Sequence, residues 1–77
     1  MKLQIISPSE IMFSGDVEAV TLPGVAGKFT VLKNHASLIS VLKPGAVRFL
    51  QNGAETVIDI KGGLADIDSN KIAVCVY

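Results

Sequence analysis

The chain has few of the residues from which most catalytic and metal sites are built. Among 77 residues it contains one cysteine, Cys75, one histidine, His35, and no tryptophan. A single cysteine excludes an internal disulfide and a cysteine-based metal site. Because free cysteine is among the most often buried residues, we expect the Cys75 thiol to lie in the core.

Excess charge and long apolar runs are also missing. Seven Lys and Arg residues balance seven Asp and Glu residues, so the formal net charge is 0 at pH 7. Nucleic acid and anionic lipid both select basic surfaces, so neither is expected as the main partner. No apolar run reaches the roughly 18 residues of a membrane helix. The first residues lack the features of a signal peptide. A chain of this length predicts one domain, residues 1–77.

Short apolar segments with a period of two are abundant, and turn residues separate them about every eight positions. This pattern predicts an all-β fold. The predicted architecture is a β-sandwich of two antiparallel sheets with about ten short strands and no C-terminal helices. The predicted strands lie at residues 3–7, 11–13, 17–22, 29–32, 37–43, 46–51, 55–61, 64–68 and 71–77.

Two dipeptides predict particular turns. Pro23-Gly24 has the order of a turn with proline first and glycine at positive φ. Asn52-Gly53 is the strongest short hairpin signal. The strand phases predict a set of inward residues: Ile5, Val17, Leu38, Leu42, Val47, Phe49, Ile58, Ile60, Ile72, Val74 and Val76. They also predict apolar residues on the opposite faces: Ile6, Val20, Ile39, Val41, Leu50, Val57 and Ile67. Since monomers rarely expose large apolar patches, one of these faces is expected to form an interface.

Three patterns superficially indicate chemistry, and each has a simpler structural explanation. The segment Gly24–Phe29 lacks the spacing, the Ser or Thr and the following helix of a phosphate-binding loop. His35 has neither a nucleophile elbow nor companion ligands, so a structural corner is expected there. Asp66 and Asp68 share one strand face, but two carboxylates form a weak calcium site and a solvated edge is favoured. We therefore expect no catalytic, cofactor-binding or metal-binding residue.

Seven segments together carry a resemblance to a known family. They are Leu3–Pro8, Met12–Gly15, Val17–Val20, Gly24–Ser40, Lys43–Arg48, Gly62–Ile67 and Asn70–Val74. With their Asn-His-Ala, Lys-Pro-Gly-x-x-Arg and Gly-Gly elements, they resemble the epsilon subunit of F-type ATP synthases over essentially the whole chain. The resemblance implies two five-stranded sheets bound to the gamma subunit at the foot of the central shaft, against the membrane c-ring. It also implies a non-catalytic rotor subunit that couples ion flow to ATP synthesis.

The resemblance further implies where the two partners bind. The turn at Ala26, Gly27 and Lys28 is expected to face the c-ring. The residues expected to face gamma are His35, Ala36, Ser37, Ile39, Val41, Pro44 and Gly45. The implied location is peripheral, on the cytoplasmic face of a bacterial inner membrane and in contact with the membrane only through the c-ring. A plastid-encoded thylakoid form is the less favoured location.

Family members usually continue into a C-terminal pair of helices that carries autoinhibitory contacts and, in some members, an ATP-binding motif. The present sequence ends at Tyr77, which fits a naturally short form or a truncated one. Autoinhibition and nucleotide sensing are therefore not expected of it. The alternative function is a free-standing small β-sandwich module that binds a peptide or ligand. An esterase that uses His35 is a distant third.

Overall fold

A computed structural model describes residues 1–77, and these residues form nine strands and no helix. The strands are β1 (Lys2–Ile6), β2 (Ile11–Asp16), β3 (Ala19–Gly24), β4 (Gly27–Leu32), β5 (His35–Leu42), β6 (Gly45–Gln51), β7 (Ala54–Ile60), β8 (Gly63–Ser69) and β9 (Lys71–Val76). The all-β prediction is confirmed, and every predicted strand overlaps an observed one. The structure contains no helix with the length and apolar character needed to span a bilayer.

The strands form one curled sheet in the order β2-β1-β9-β8-β5-β3-β6-β7, and β4 pairs with β3. The curl brings the layer β1-β2-β5-β8-β9 against the layer β3-β4-β6-β7. Phe13 of β2 and Phe49 of β6 meet between them, with ring centroids 4.3 Å apart. Two details differ from a pair of separate antiparallel sheets. The β1–β9 pair is parallel, and a single residue pair, Gly24 with Leu42, continues the strand pairing from one layer into the other.

The core contains 15 buried apolar residues and no buried polar side chain. Most predicted inward residues belong to it, and Ile58 packs against it. The prediction was wrong for Leu38, which is 41% exposed although it lies opposite the buried Ile67, at the point where the regular β5–β8 pairing ends. It was also wrong for Val20 and Ile67, which are buried. For Val20 the reason is that β3 begins only at Ala19, so the alternation restarts after Val17.

The Pro23-Gly24 turn was predicted wrongly, whereas the Asn52-Gly53 turn is confirmed. Pro23 and Gly24 are buried residues of β3, and the chain reverses after them through Val25 and Ala26. Gly27 has the positive φ in this hairpin, 136°. Asn52 and Gly53 have φ values of 51° and 78°, as a two-residue hairpin with both central residues at positive φ requires.

Candidate interaction surfaces

An apolar row crosses the outer face of the layer β1-β2-β5-β8-β9. Val41 of β5 lies opposite Leu64 of β8, Leu64 opposite Cys75 of β9, and Cys75 opposite Ile6 of β1. Ile39 lies two positions before Val41, on the same face, and is 67% exposed. We call these five residues the outer apolar surface. Its position follows from the period of two, because the neighbours of these residues along each strand point to the opposite face.

The Cys75 prediction was wrong, since this residue is exposed. Ile72, Val74 and Val76 are all buried, so alternation along β9 turns Cys75 outward. The prediction relied on the average behaviour of cysteine instead of the phase of its own strand. As a result, the chain's one thiol lies between Leu64 and Ile6 on the outer apolar surface.

The rest of the same face is charged, beginning at Asp66, which lies directly opposite Ile39. Asp66 and Asp68 point outward from β8, and Asp68 lies opposite Lys71 of β9. The Ser37 hydroxyl donates a hydrogen bond to Asp68 Oδ1 at 2.9 Å. Residues 1–77 contain no group of three or more His, Cys, Asp or Glu side chains arranged to hold a metal ion. The outer face therefore divides into an apolar part and a solvated, charged part.

His35 lies at the corner where β5 begins. Its ring Nδ1 donates to the Ala36 carbonyl oxygen at 2.7 Å, and the preceding residue, Asn34, has a φ of 63°. The Ser37 hydroxyl bonds to Asp68, and the Ser40 hydroxyl donates to the Val41 carbonyl oxygen at 3.4 Å. Neither hydroxyl is hydrogen-bonded to the imidazole. The corner lacks the serine–histidine contact from which an esterase would be built.

The β3–β4 turn forms a second exposed feature. Ala26, Gly27 and Lys28 are all exposed, and the preceding Val25 is 58% exposed. A strand follows this turn, whereas a phosphate-binding loop opens a helix. The only ion pair in residues 1–77 joins Arg48 and Glu55, so the Lys28 ammonium has no carboxylate within 4.0 Å. The turn presents a small, positively charged tip to solvent.

The structure brings together only some of the residues predicted to face one partner. Ile39 and Val41 belong to the outer apolar surface. The His35–Ser37 corner lies at the far end of β5, whose eight residues extend over about 24 Å at roughly 3.4 Å per residue. Pro44 and Gly45 instead lie beside the β3–β4 turn, because the Lys43 amide donates to the Pro23 carbonyl oxygen at 2.9 Å.

Sequence reasoning missed Leu64 as a member of the outer apolar surface, and it placed Cys75 in the core. The signal was present, since Leu64 stands between Gly63 and Ala65, two small residues that the structure buries. Ile6 had been predicted on an outward face without being connected to Ile39 or Val41. Which residues form one surface depends on the pairing of β1, β9, β8 and β5, and the pairing partners are distant in sequence.

The fold and these surfaces define a small β-sandwich that presents apolar and charged patches on its exterior. The family of the ATP synthase Delta/Epsilon chain, beta-sandwich domain, matches residues 1–77. The chain belongs to this family.

Curated relatives agree with the family match. The ATP synthase epsilon chain of a Nitratiruptor species is 42% identical over 77 residues, which are 99% of this chain and 60% of that relative. The epsilon chain of Wolinella succinogenes is 41% identical, over 96% of this chain and 57% of its own length. That of Chlorobium limicola is also 41% identical, over 91% and 81% respectively. The chain thus spans less than two thirds of the first two relatives.

Solved structures with low sequence identity share the fold. A chain in the Euglena gracilis mitochondrial ATP synthase structure, OSCP/F1/c-ring in rotational state 1, has a TM-score of 0.90 at 22% identity. The match covers 96% of the present chain and 48% of that one. A chain in the central stalk/c-ring structure of the Tetrahymena thermophila mitochondrial ATP synthase has a TM-score of 0.81 at 12% identity, covering 97% and 61%.

Proposed function

We propose that this chain is a non-catalytic rotor subunit of an F-type ATP synthase. In this role it holds the gamma shaft on the c-ring and so couples ion flow to ATP synthesis. The observation that carries the proposal is the family match, which extends over all of residues 1–77. The names of the relatives, ATP synthase epsilon chain, support it. The work assigned to the chain is mechanical, so it needs binding surfaces on a rigid body and no reactive group.

The gamma subunit is assigned to the outer apolar surface and the adjoining predicted residues. Ile39 and Val41 are 67% and 52% exposed, and Leu64 is 45% exposed. Exposed apolar side chains in one contiguous row favour a partner that removes them from water. A standard interface needs about 800 Å² per partner. A contact along β5, from the His35–Ser37 corner to Val41, has the length to supply such an area. Pro44 and Gly45 are left out of this contact, because they lie beside the β3–β4 turn and a side chain at Gly45 would point at Pro23.

The c-ring is assigned to the β3–β4 turn at Ala26, Gly27 and Lys28. A narrow, exposed tip suits contact with the short polar loops of a membrane ring, and its one charged group, the Lys28 ammonium, favours an acidic loop. The chain itself then touches no lipid. Its proposed location is peripheral, at the membrane-bound complex and on the cytoplasmic face of a bacterial inner membrane.

The test uses one substitution on each layer. Val41→Asp places a charge on the outer apolar surface, opposite Leu64 and not opposite another carboxylate. Val57→Asp is the matched control, because Val57 is a similarly exposed valine of β7, in the opposite layer. We expect Val41→Asp to weaken gamma binding at least about tenfold, which is ~1.4 kcal/mol, and Val57→Asp to leave it within about threefold.

The Cys75 thiol provides an independent readout in the unmodified chain. Its alkylation should slow when gamma is bound and should be unaffected by the c-ring alone. A crosslink from Ala36→Cys, in a Cys75→Ser background, to the c-ring in place of gamma would show that the two surfaces are reversed. Binding to neither gamma nor a c-ring preparation would contradict the rotor role and favour the free-standing binding module.

A further inference from the structure

Backbone hydrogen bonds between β3 and β5 connect the two proposed partner surfaces, at the place where strand pairing passes from one layer to the other. The Val25 amide donates to the Val41 carbonyl oxygen at 3.0 Å, and the Lys43 amide donates to the Pro23 carbonyl oxygen at 2.9 Å. Between these bonds, Gly24 pairs with Leu42. We call this connection the β3–β5 seam. It is the only place where β3 and β5 pair, and it ends directly at the β3–β4 turn.

Close packing at Gly45 supports the seam. A methyl group added at Gly45 would lie 2.9 Å from Pro23 Cβ and 3.5 Å from Pro23 Cγ. Pro23 is itself buried. The space that a side chain at residue 45 would fill is therefore taken by the proline ring. Gly45 allows the β5–β6 connection to lie against β3, and the missing side chain points at Pro23 and not at a partner.

A two-residue hairpin turn does not by itself have a fixed direction relative to a neighbouring strand. Gly27, with its φ of 136°, gives this turn additional freedom. The seam limits that freedom, because a hinge movement of the turn would have to break the Val25–Val41 bond. The turn and the outer apolar surface consequently move as one unit.

We propose that Gly45 and Pro23 are positioning residues that fix the proposed c-ring turn relative to the proposed gamma surface through the β3–β5 seam. This inference rests on the proposed function, in which the β3–β5 seam transmits torque between gamma and the c-ring. A rotor subunit with a hinge at this point could bind both partners and still let one rotate relative to the other.

The test is Gly45→Ala in the full chain. In the unbound protein, hydrogen exchange at the Val25 and Lys43 amides should accelerate at least about tenfold, while the β8–β9 amides keep their protection. C-ring affinity should fall about tenfold and gamma affinity by less than about threefold. The double variant Pro23→Gly/Gly45→Ala removes the blocking ring and should restore c-ring binding. Gly53→Ala, at the opposite end of β6, controls for general destabilisation and should leave both affinities unchanged.

Equal losses for both partners, or failure of the double variant to restore binding, would overturn the positioning role, because general destabilisation produces those results. Faster exchange with unchanged c-ring affinity would overturn it as well. Failure of the proposed function is distinguishable, since the unsubstituted chain would then bind neither partner. The exchange measurement needs no partner, so unchanged exchange in a folded Gly45→Ala variant would refute the seam by itself.

Discussion

Substitution of Gly63 by alanine should be among the most damaging single-methyl changes in this chain. Gly63 is buried in β8, where it pairs with Leu42 of β5 on one side and Val76 of β9 on the other. An added methyl group would overlap the Cys75 carbonyl oxygen and lie 3.0 Å from Val76 Cα. These neighbours are backbone atoms, so no side-chain rotation relieves the overlap.

The size of the stability loss depends on which atoms must move to make room for the methyl group. Carbon atoms pack at about 3.5 Å or more, so β9 must separate from β8 locally. Overpacking typically costs about 1–3 kcal/mol, and each weakened ladder hydrogen bond costs about 1 kcal/mol. We expect a loss of about 4 kcal/mol. At about 0.05–0.15 kcal/mol per residue, a chain of this size has a total stability of only about 4–12 kcal/mol.

Thermal unfolding followed by circular dichroism measures the effect. For a domain of this size, about 4 kcal/mol corresponds to a fall in Tm of roughly 15–30 °C. Gly53→Ala is the control, because its φ is 78° and an added methyl group there meets nothing within 4 Å. It should cost only the left-handed backbone penalty of about 1–2 kcal/mol. A Gly63→Ala variant as stable as Gly53→Ala would refute the steric argument.

Three further outcomes are expected. Glu18→Ala should lower the free energy of unfolding by about 1 kcal/mol in urea titrations, because the Glu18 carboxylate accepts hydrogen bonds from the Asn52 and Gly53 amides at 3.2 and 3.4 Å; an unchanged midpoint would count against this hairpin support. Phe49→Ala should cost about 3–5 kcal/mol, since Phe49 is 2% exposed at the centre of the core; a well-folded variant with a small loss would contradict that placement. Cys75 should react with iodoacetamide in the native isolated chain about as fast as in the unfolded one, and strong protection would show that its face is covered.

The parts of the fold that could be predicted from sequence are those determined within a few residues. Asn52-Gly53 fixes its own hairpin through two positive φ values. Pro23-Gly24 has an equally good local turn pattern, yet both residues belong to β3. Their hydrogen bonding and packing involve residues about 20 positions later, including the Lys43 amide and Gly45. Nothing near Pro23 in the sequence indicates those contacts.

For the candidate site residues, the sequence predicted which side chains are exposed better than it predicted which of them lie next to one another. Ile39 and Val41 were correctly placed on an outward face, because alternation along β5 is a local property. Alternation could also have placed Leu64 and Cys75 outward, as it did Ile6. That these three residues form one surface with Ile39 and Val41 could not be predicted, because it depends on strand order across β5, β8, β9 and β1. The parallel pairing of β1 with β9 has no signature in either strand's sequence.

The parallel β1–β9 pair has a consequence for how this chain matures on the ribosome. Lys2 pairs with Lys71 and Ile6 with Cys75, so residues roughly 70 positions apart form one ladder; such distant pairings fold late and slowly. β1 and β2 are synthesised before β9, so the remaining edge of β1 has no partner until β9 is made. Leu3 and Ile5 therefore stay open to water, or to a chaperone, until that point. A truncation within β9 should leave a chain whose sandwich cannot close.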